Sequence, residues 1–416
     1  MLMRYYFLGI CGISMRSLAV FLRHNGDEVA GCDASPADLE FFKERQIEVE
    51  QKFSKKRIES ADVVVYSSAI GENDRGLRYA KSLGKKMIVR GALLGEIASG
   101  YQKVVAVAGA HGKTTTTALI YNILKPYNPT LHLGGVLVEE KTPCVLGDKE
   151  YFVTEACEYH NNFLYLKPYV AVVTNIEKEH MDFFKTFENE KNAFQKFKDG
   201  AQFVVEGDGG YVAKNIRHIN QKLCFDVCLK KEKIMSLKMK IVEEVNAQNA
   251  LFALRTCKLL GLSDEEIKNG LESFEGVQKR FESVVSPIFE KVIVDYAHHP
   301  TEIRNTIMTA KKLYEKVFFI FQPHTFSRTK ALFCEFVEVF KEEKNLAIFK
   351  TFPAREKRKA GVSGKSLAKI LGCNYFNNVN KLVKFLIENF KGYALVFMGA
   401  GDLPKILESK NIIKNS

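Results

Sequence analysis

At 416 residues the chain exceeds one ordinary hydrophobic core, so two or three domains are expected. Apolar residues make up 46% and charged residues 26%, a soluble globular balance, and no apolar run approaches the roughly 20 residues needed to span a bilayer. The formal charge of +12 raises nucleic-acid binding, but the basic residues are spread along the chain with only short clusters such as Arg355–Lys359. That is the pattern of a lysine-rich solvated surface, which also suits anionic nucleotides.

The chain opens with Tyr5-Tyr6-Phe7-Leu8-Gly9-Ile10 and runs into an amphipathic stretch without a small-residue cleavage pattern. It reads as a buried first strand and not as a signal segment. Residues 1–101 then alternate short apolar strands (Arg4–Gly9, Glu28–Cys32, Asp62–Ser67, Lys86–Arg90) with helical patterns (Met15–Asn25, Arg75–Leu83). Alternating β and α predicts a parallel sheet covered by helices. A second block, residues 102–278, opens with the buried strand Lys103–Ala108, followed by a glycine-rich loop and a helix to Leu124. Further strands are expected at Glu150–Thr154 and Val170–Thr174, and a long helix at Asn246–Leu260 capped by Gly261. A third block, residues 279–416, carries strands at Val292–Asp295, Val317–Phe321, Leu346–Thr351 and Ala394–Met398, a second α/β sheet. The joint near Phe274–Phe281 is the expected hinge. The nine cysteines form no CxxC pair, and Cys224 and Cys228 have neither zinc spacing nor histidine partners, which points to a reducing, cytoplasmic setting.

Gly109-Ala110-His111-Gly112-Lys113-Thr114 stands between a strand and a helix, the order of a P-loop. Glycines let backbone N–H groups close around phosphate oxygens, and the helix N-terminus adds positive potential. Lys113 can reach the β- and γ-phosphates, and the Thr114 hydroxyl can ligate Mg²⁺. The generic spacing asks for a glycine where Val107 stands. Two acidic clusters follow. Glu155 and Glu158 lie three residues apart, so one helical turn would put both on one side; Thr174-Asn175-Ile176-Glu177-Lys178-Glu179-His180-Met181-Asp182 ends another strand. Both fall at C-terminal strand edges, where open α/β sheets place ligands.

These motifs resemble those of the Mur ligases over nearly the whole chain. Gly109–Thr114 is similar to the family loop Gly-Thr-x-Gly-Lys-Thr, with Ala110 for Thr; the family also lacks the earlier glycine. Glu155–Glu158 resembles its Glu-Ala-x-Glu, Thr174–Asp182 its Thr-Asn-Ile-x-x-x-His-x-Asp, and Asn246–Asn249 the Asn-x-x-Asn near adenine. Phe274–Phe281 resembles the hinge Phe-x-Gly-x-x-Arg-Arg-Phe, with Lys279 for the first Arg, and Gly9–Met15 the turn Gly-x-Gly-Gly-x-Gly-Met, with Cys11 and Ser14 for two glycines. Asp295–Glu302 and Phe321–Thr329 look like the alanine-adding branch. The stretch between Asp208 and Asn246 is shorter than the resemblance leads one to expect, trimming the periphery of the central domain.

The resemblance implies an α/β protein of three domains: a Rossmann-like N-terminal domain for a UDP sugar (1–101), a central P-loop ATPase domain (102–278) and a Rossmann-like C-terminal domain for an amino acid (279–416). It implies ATP on Gly109, Ala110, His111, Gly112, Lys113, Thr114, Thr115, Asn249 and Arg280, and Mg²⁺ on Thr114, Glu155 and His180. The UDP sugar, UDP-N-acetylmuramate, would meet Gly9, Gly12, Ser14, Asp33, Ser67 and Ser68. Tyr296, His298, His324 and Arg328 would surround L-alanine, with Lys113, His180, Arg280 and His298 catalytic. The paired histidines His298 and His299 also suit a plain helix start. No role in holding a second metal is assigned to Lys191. Nucleic acid and membrane are not expected as partners, and a monomer or weak homodimer is. The rivals are a related ligase for another acceptor, such as a muropeptide, and a non-catalytic nucleotide-binding relative.

Overall fold

In the computed structural model, which describes residues 2–36, 38–354, 356 and 362–414, the chain divides into two compact units. One is Met1–Val212 with Asn249–Ser273; the other is Ala213–Gln248 with Phe274–Ser416. Arg355 and Lys357–Lys359 of the basic cluster lie outside the described residues, as does the side chain of Asp182. No described helix is long and apolar enough to cross a membrane.

The first unit contains two sheets. In the first, β1 (Arg4–Leu8), β2 (Glu28–Cys32), β3 (Glu48–Glu50), β4 (Val63–Tyr66) and β5 (Lys86–Val89) lie in the order β3-β2-β1-β4-β5, all parallel. The order reverses at β1, so a crevice opens at the C-terminal ends of β1 and β4. The second sheet comprises β6 (Lys103–Ala108), β7 (Thr130–His132), β8 (Cys144–Val145), β9 (Tyr151–Glu155), β10 (Val170–Val173) and β11 (Phe203–Val205). Its order is β11-β10-β6-β9-β7-β8, parallel but for the short β7–β8 pair. Val104–Ala108 are buried, as a central strand covered on both faces must be. One apolar cluster, including Phe7, Val65, Ala106, Phe152, Phe163 and Val173, draws on both sheets.

In the second unit an antiparallel meander, β12 (Tyr211–Ile219), β13 (Lys222–Leu229) and β14 (Glu232–Met239), occupies the stretch read from sequence as trimmed. The period of two in β14 buries Met235, Leu237 and Met239 and exposes Ser236 and Lys238. The last sheet comprises β15 (Glu282–Val284), β16 (Lys291–Asp295), β17 (Val317–Phe321), β18 (Leu346–Phe349), β19 (Asn374–Phe376) and β20 (Ala394–Met398). Its order is β15-β16-β20-β17-β18-β19, parallel except at β15. Alternate residues feed separate cores on its two faces: Ile293, Phe319, Phe321 and Val396 on one, Val292, Phe318, Ile320 and Phe397 on the other. The late strand β20 lies between β16 and β17, parallel to both, so the loops after those two strands leave the same edge of the sheet on either side of it.

The predicted strands and helices fall on observed ones within a residue or two. The helix begun at the phosphate loop is Lys113–Leu124, and Val245–Leu259 is followed by Gly261 at φ +92°. Six strands of three residues or fewer, β3, β7, β8, β11, β15 and β19, were not anticipated. Runs that short carry no period of their own.

Candidate active site

The loop after β6 closes around two glycines at which any side chain would be strained. Gly109 has φ +139° and Gly112 +82°; a Cβ on Gly109 would stand 2.1 Å from Thr174 Oγ1, and one on Gly112 2.5 Å from Asn249 Oδ1. Residues after β10 hold the loop open. Thr174 Oγ1 donates to the His111 carbonyl at 2.6 Å, and Asn175 Nδ2 donates to the same carbonyl at 2.9 Å. The His111 amide donates to Asn175 Oδ1 at 2.9 Å, and the Ala110 amide to the Asn175 carbonyl at 3.2 Å. Asn249 accepts from Thr116 Oγ1 at 3.4 Å, so it sits behind the loop as a brace. Thr114 and Thr115 follow in the first helical turn, Thr114 buried.

Lys113 folds back onto the loop, donating to the carbonyls of Gly109 and Ala110 and pairing with Glu158 Oε1 at 3.1 Å. Burial works against its charge, but the Glu158 carboxylate, with Cys157 and Glu155, holds the ammonium above the ordinary lysine range. His180 Nε2 lies 3.6 Å from Glu158 Oε1 and 3.9 Å from Glu179 Oε2. The donor atoms of Glu158, Glu179 and His180 all fall within 4.8 Å of one another. His180 itself has φ +54° and leans on the Tyr159 ring, with centroids 4.5 Å apart. Glu158 Oε2 is buried and has no hydrogen-bond partner among the described residues. Two carboxylates, an imidazole and an unsatisfied buried oxygen fit a divalent cation.

Glu155 does not join that group. The expected helical turn from Glu155 to Glu158 is absent, because β9 runs through Glu155 and successive strand side chains diverge. The Glu155 carboxylate accepts the Gly134 amide at 2.6 Å instead. Glu190, which the sequence reading passed over, lies nearby, and burial beside Glu158 and Glu179 pushes its carboxyl up to about 7. Lys191 is exposed, its Nζ 4.6 Å from the Phe187 ring centroid.

At the switch point of the first sheet, the Gly9 turn (φ +79°) abuts the Ser67–Ile70 turn: a Cβ on Gly9 would lie 3.2 Å from Ile70 Cδ1 and 3.9 Å from Ser67 Cβ. Asp33 accepts the Cys11 and Ser35 amides, and Gly12 donates to the Gly9 carbonyl. Ser68 follows half-buried. Ser14 has partners not foreseen. Arg90 donates to its Oγ at 3.1 Å, the Ser14 hydroxyl donates to His132 Nε2 at 2.8 Å, and His132 Nδ1–H donates to Thr154 Oγ1 at 2.9 Å. Thr154 Oγ1 donates its own hydrogen to the Glu155 carbonyl at 3.0 Å, so it accepts from His132 Nδ1–H, and Nε2 of the neutral ring is left to accept from Ser14. Burial, reinforced by Arg90, drops the His132 pKa to about 3.

In the second unit the loops after β16 and β17 bring Tyr296, His298, His324 and Arg328 together. The ring centroids of His298 lie 5.3 Å from Tyr296 and 6.2 Å from His324, and Arg328 donates to His324 Nδ1 at 3.3 Å. His298 Nδ1–H donates to the Tyr296 carbonyl at 2.9 Å, which leaves Nε2 as its acceptor. Burial lowers both histidines to about 4; Arg328 adds to this at each, and Glu302 opposes it at His298. Arg280 lies over Tyr296 at 5.4 Å and 3.8 Å from Glu302. The paired histidines divide two roles. His299 caps the helix Pro300–Leu313 with Glu302 in a capping box, while His298 faces the cluster.

A P-loop lysine paired to a carboxylate, beside a carboxylate–histidine group, on the second of three mainly parallel sheets, defines a multidomain P-loop nucleotide-binding protein. Family models match in succession: the Mur ligase family catalytic domain at residues 4–102, the Mur ligase middle domain at 107–214 and the Mur ligase glutamate ligase domain at 279–401. The UDP-N-acetylmuramate–L-alanine ligase of Acetivibrio thermocellus is 36% identical, covering 97% of this chain and 94% of that protein. That of Clostridium perfringens is 34% identical, covering 97% of each. The structure of the alanine ligase MurC from Thermotoga maritima superposes with a TM-score of 0.85 at 24% identity, over 98% of this chain and 99% of that one. A murein peptide ligase from Psychrobacter arcticus gives 0.72 at 21% identity, over 98% of each chain. The chain belongs to the Mur ligase family.

Proposed function

We propose that this enzyme joins L-alanine to UDP-N-acetylmuramate with ATP, through an acyl phosphate, in peptidoglycan precursor synthesis. The observation that carries this reading is the Lys113–Glu158–His180 group at the phosphate loop, in a chain whose relatives are named for that reaction. A carboxylate is a poor electrophile at neutral pH. Its oxygen attacks the γ-phosphorus, the bond to the β-phosphate oxygen breaks, and ADP leaves. Lys113 and Arg280 spread the charge of the transferring phosphoryl group. Thr114, Glu158 and His180 would hold Mg²⁺, with Glu155 close in sequence; a bound divalent cation supplies further charge neutralisation at the phosphates. The alanine amine then attacks the acyl carbon, and phosphate departs with the carbon–oxygen bond electrons. Arg328 suits the alanine carboxylate, and the neutral imidazoles of His298 and His324 accept from an amine without repelling it. In this reading residues 1–101, 102–278 and 279–416 serve the UDP sugar, ATP and the amino acid, with Gly9, Gly12, Ser14, Asp33, Ser67 and Ser68 at the sugar nucleotide. We place the reaction in the cytosol, where its nucleotides are.

Phosphate release tests this. The purified chain with ATP, Mg²⁺, UDP-N-acetylmuramate and single amino acids should release phosphate with alanine and only when the sugar nucleotide is present. Turnover with a muropeptide and none with alanine, or ATP hydrolysis stimulated by DNA, would overturn it.

A further inference from the structure

The helix Phe187–Asp199 buries Glu190, Ala193, Phe194 and Phe197, the i, i+3, i+4, i+7 stripe of an amphipathic helix. Phe194 and Phe197 pack on Phe163 at 5.2 and 4.9 Å, which fixes this face against the segment Tyr159–Tyr165 immediately after Glu158. An apolar side chain would complete the stripe. A carboxylate stands there instead, 1% exposed. It accepts the backbone N–H of Glu179, and its charged neighbours are Glu158, Glu179 and Lys113. Its Oε2 has no hydrogen-bond partner among the described residues, and neither has Glu158 Oε2. Two unsatisfied carboxylate oxygens buried beside a further carboxylate are strongly unfavourable unless positive charge compensates them. The grip on the Glu179 amide also bears on His180, the next residue, whose backbone is left-handed.

We propose that Glu190 is an outer carboxylate of the divalent-cation site, accepting a hydrogen bond from a water on the cation and holding the Glu179–His180 turn that presents its ligands. A magnesium-sized ion keeps several waters, and the groups that orient them tune affinity as the direct ligands do. Glu190 is thus a positioning residue, and the proposal rests on the reading that Glu158 and His180 hold the cation.

The test uses the full chain and Mn²⁺ alone, titrated by the electron paramagnetic resonance signal of the free ion, with the melting temperature recorded with and without Mn²⁺. Glu158→Gln should lose binding, and Glu190→Gln should weaken it about tenfold. Glu190→Leu completes the apolar stripe, so without metal it should melt at or above the wild-type temperature, yet gain little of the stabilisation that Mn²⁺ gives the wild type. That combination separates a cation role from a merely structural one, and it remains readable if Glu190→Gln folds poorly. Loss in Glu158→Gln with wild-type binding in both Glu190 variants would overturn this proposal and leave the cation reading standing. Wild-type binding in Glu158→Gln would overturn both.

Discussion

Lys113 in the first unit and His298 in the second are both shielded from water, yet one stays charged and the other stays neutral. Desolvation is the largest single influence on the Lys113 ammonium, but the Glu158 carboxylate at 3.1 Å, with Cys157 and Glu155, outweighs it. His298 also has a carboxylate, Glu302 at 3.4 Å, but Arg328 and Arg280 reinforce the effect of burial and the imidazole falls to about 4. The sign is therefore set by the balance of neighbours and not by burial alone. Each outcome suits its proposed ligand: a phosphoryl group calls for a cation, and an amine calls for an uncharged acceptor.

Substitutions can break this contrast. The largest effect is expected from Lys113→Ala, which should reduce turnover by ~10³-fold or more, since the positive charge facing the transferring phosphoryl group is lost. It also leaves Glu158 buried without its cation, a penalty of about 3–5 kcal/mol, so circular dichroism must show the variant folded before the rate is read. Wild-type turnover in a folded variant would remove the phosphate loop from the reaction. Arg328→Lys comes next. A lysine keeps the charge but not the two-pronged geometry, so KM for alanine should rise about tenfold while KM for ATP stays put. A rise in KM for ATP instead would place Arg328 on the nucleotide.

The smallest effect concerns a third buried group on the neutral side, His132. Its pKa is about 3 when folded against 6.5 for an ordinary histidine, so the unfolded chain binds the extra proton between those values. Its contribution is complete above about pH 6.5 and is lost as pH falls toward 3. Denaturant midpoints across that range should fall less steeply in His132→Gln than in the wild type, by the slope of one proton. An identical slope would mean that His132 is not held neutral.

How legible these sites were follows from how local they are. Gly109–Thr114 and Thr174–Asp182 are contiguous, so their chemistry shows in the letters, and the strands around them are long enough to carry a period. The choice between Glu155 and Glu158 was not legible, because it depends on where β9 ends, and strand ends are the weakest signal in a sequence. Arg90 and His132 meet Ser14 only because β5, β7 and the first turn converge in three dimensions; no spacing announces it. Glu190 did leave a trace, a carboxylate at an apolar position of a helical stripe, but the helix Phe187–Asp199 that carries it was itself not predicted. The meander β12–β14 was missed for another reason: a length shorter than expected hid an alternating pattern in Glu232–Met239 that is plain once strands are sought.

If the reaction runs through an acyl phosphate, an oxygen of the lactyl carboxylate must leave with the phosphate. Turnover of UDP-N-acetylmuramate labelled with ¹⁸O in its lactyl carboxylate, with ATP and alanine, tests it directly by mass spectrometry of the released phosphate. One labelled oxygen per phosphate is expected, carried over when the carbon–oxygen bond of the acyl phosphate breaks. Amide formed with phosphate free of label would contradict it.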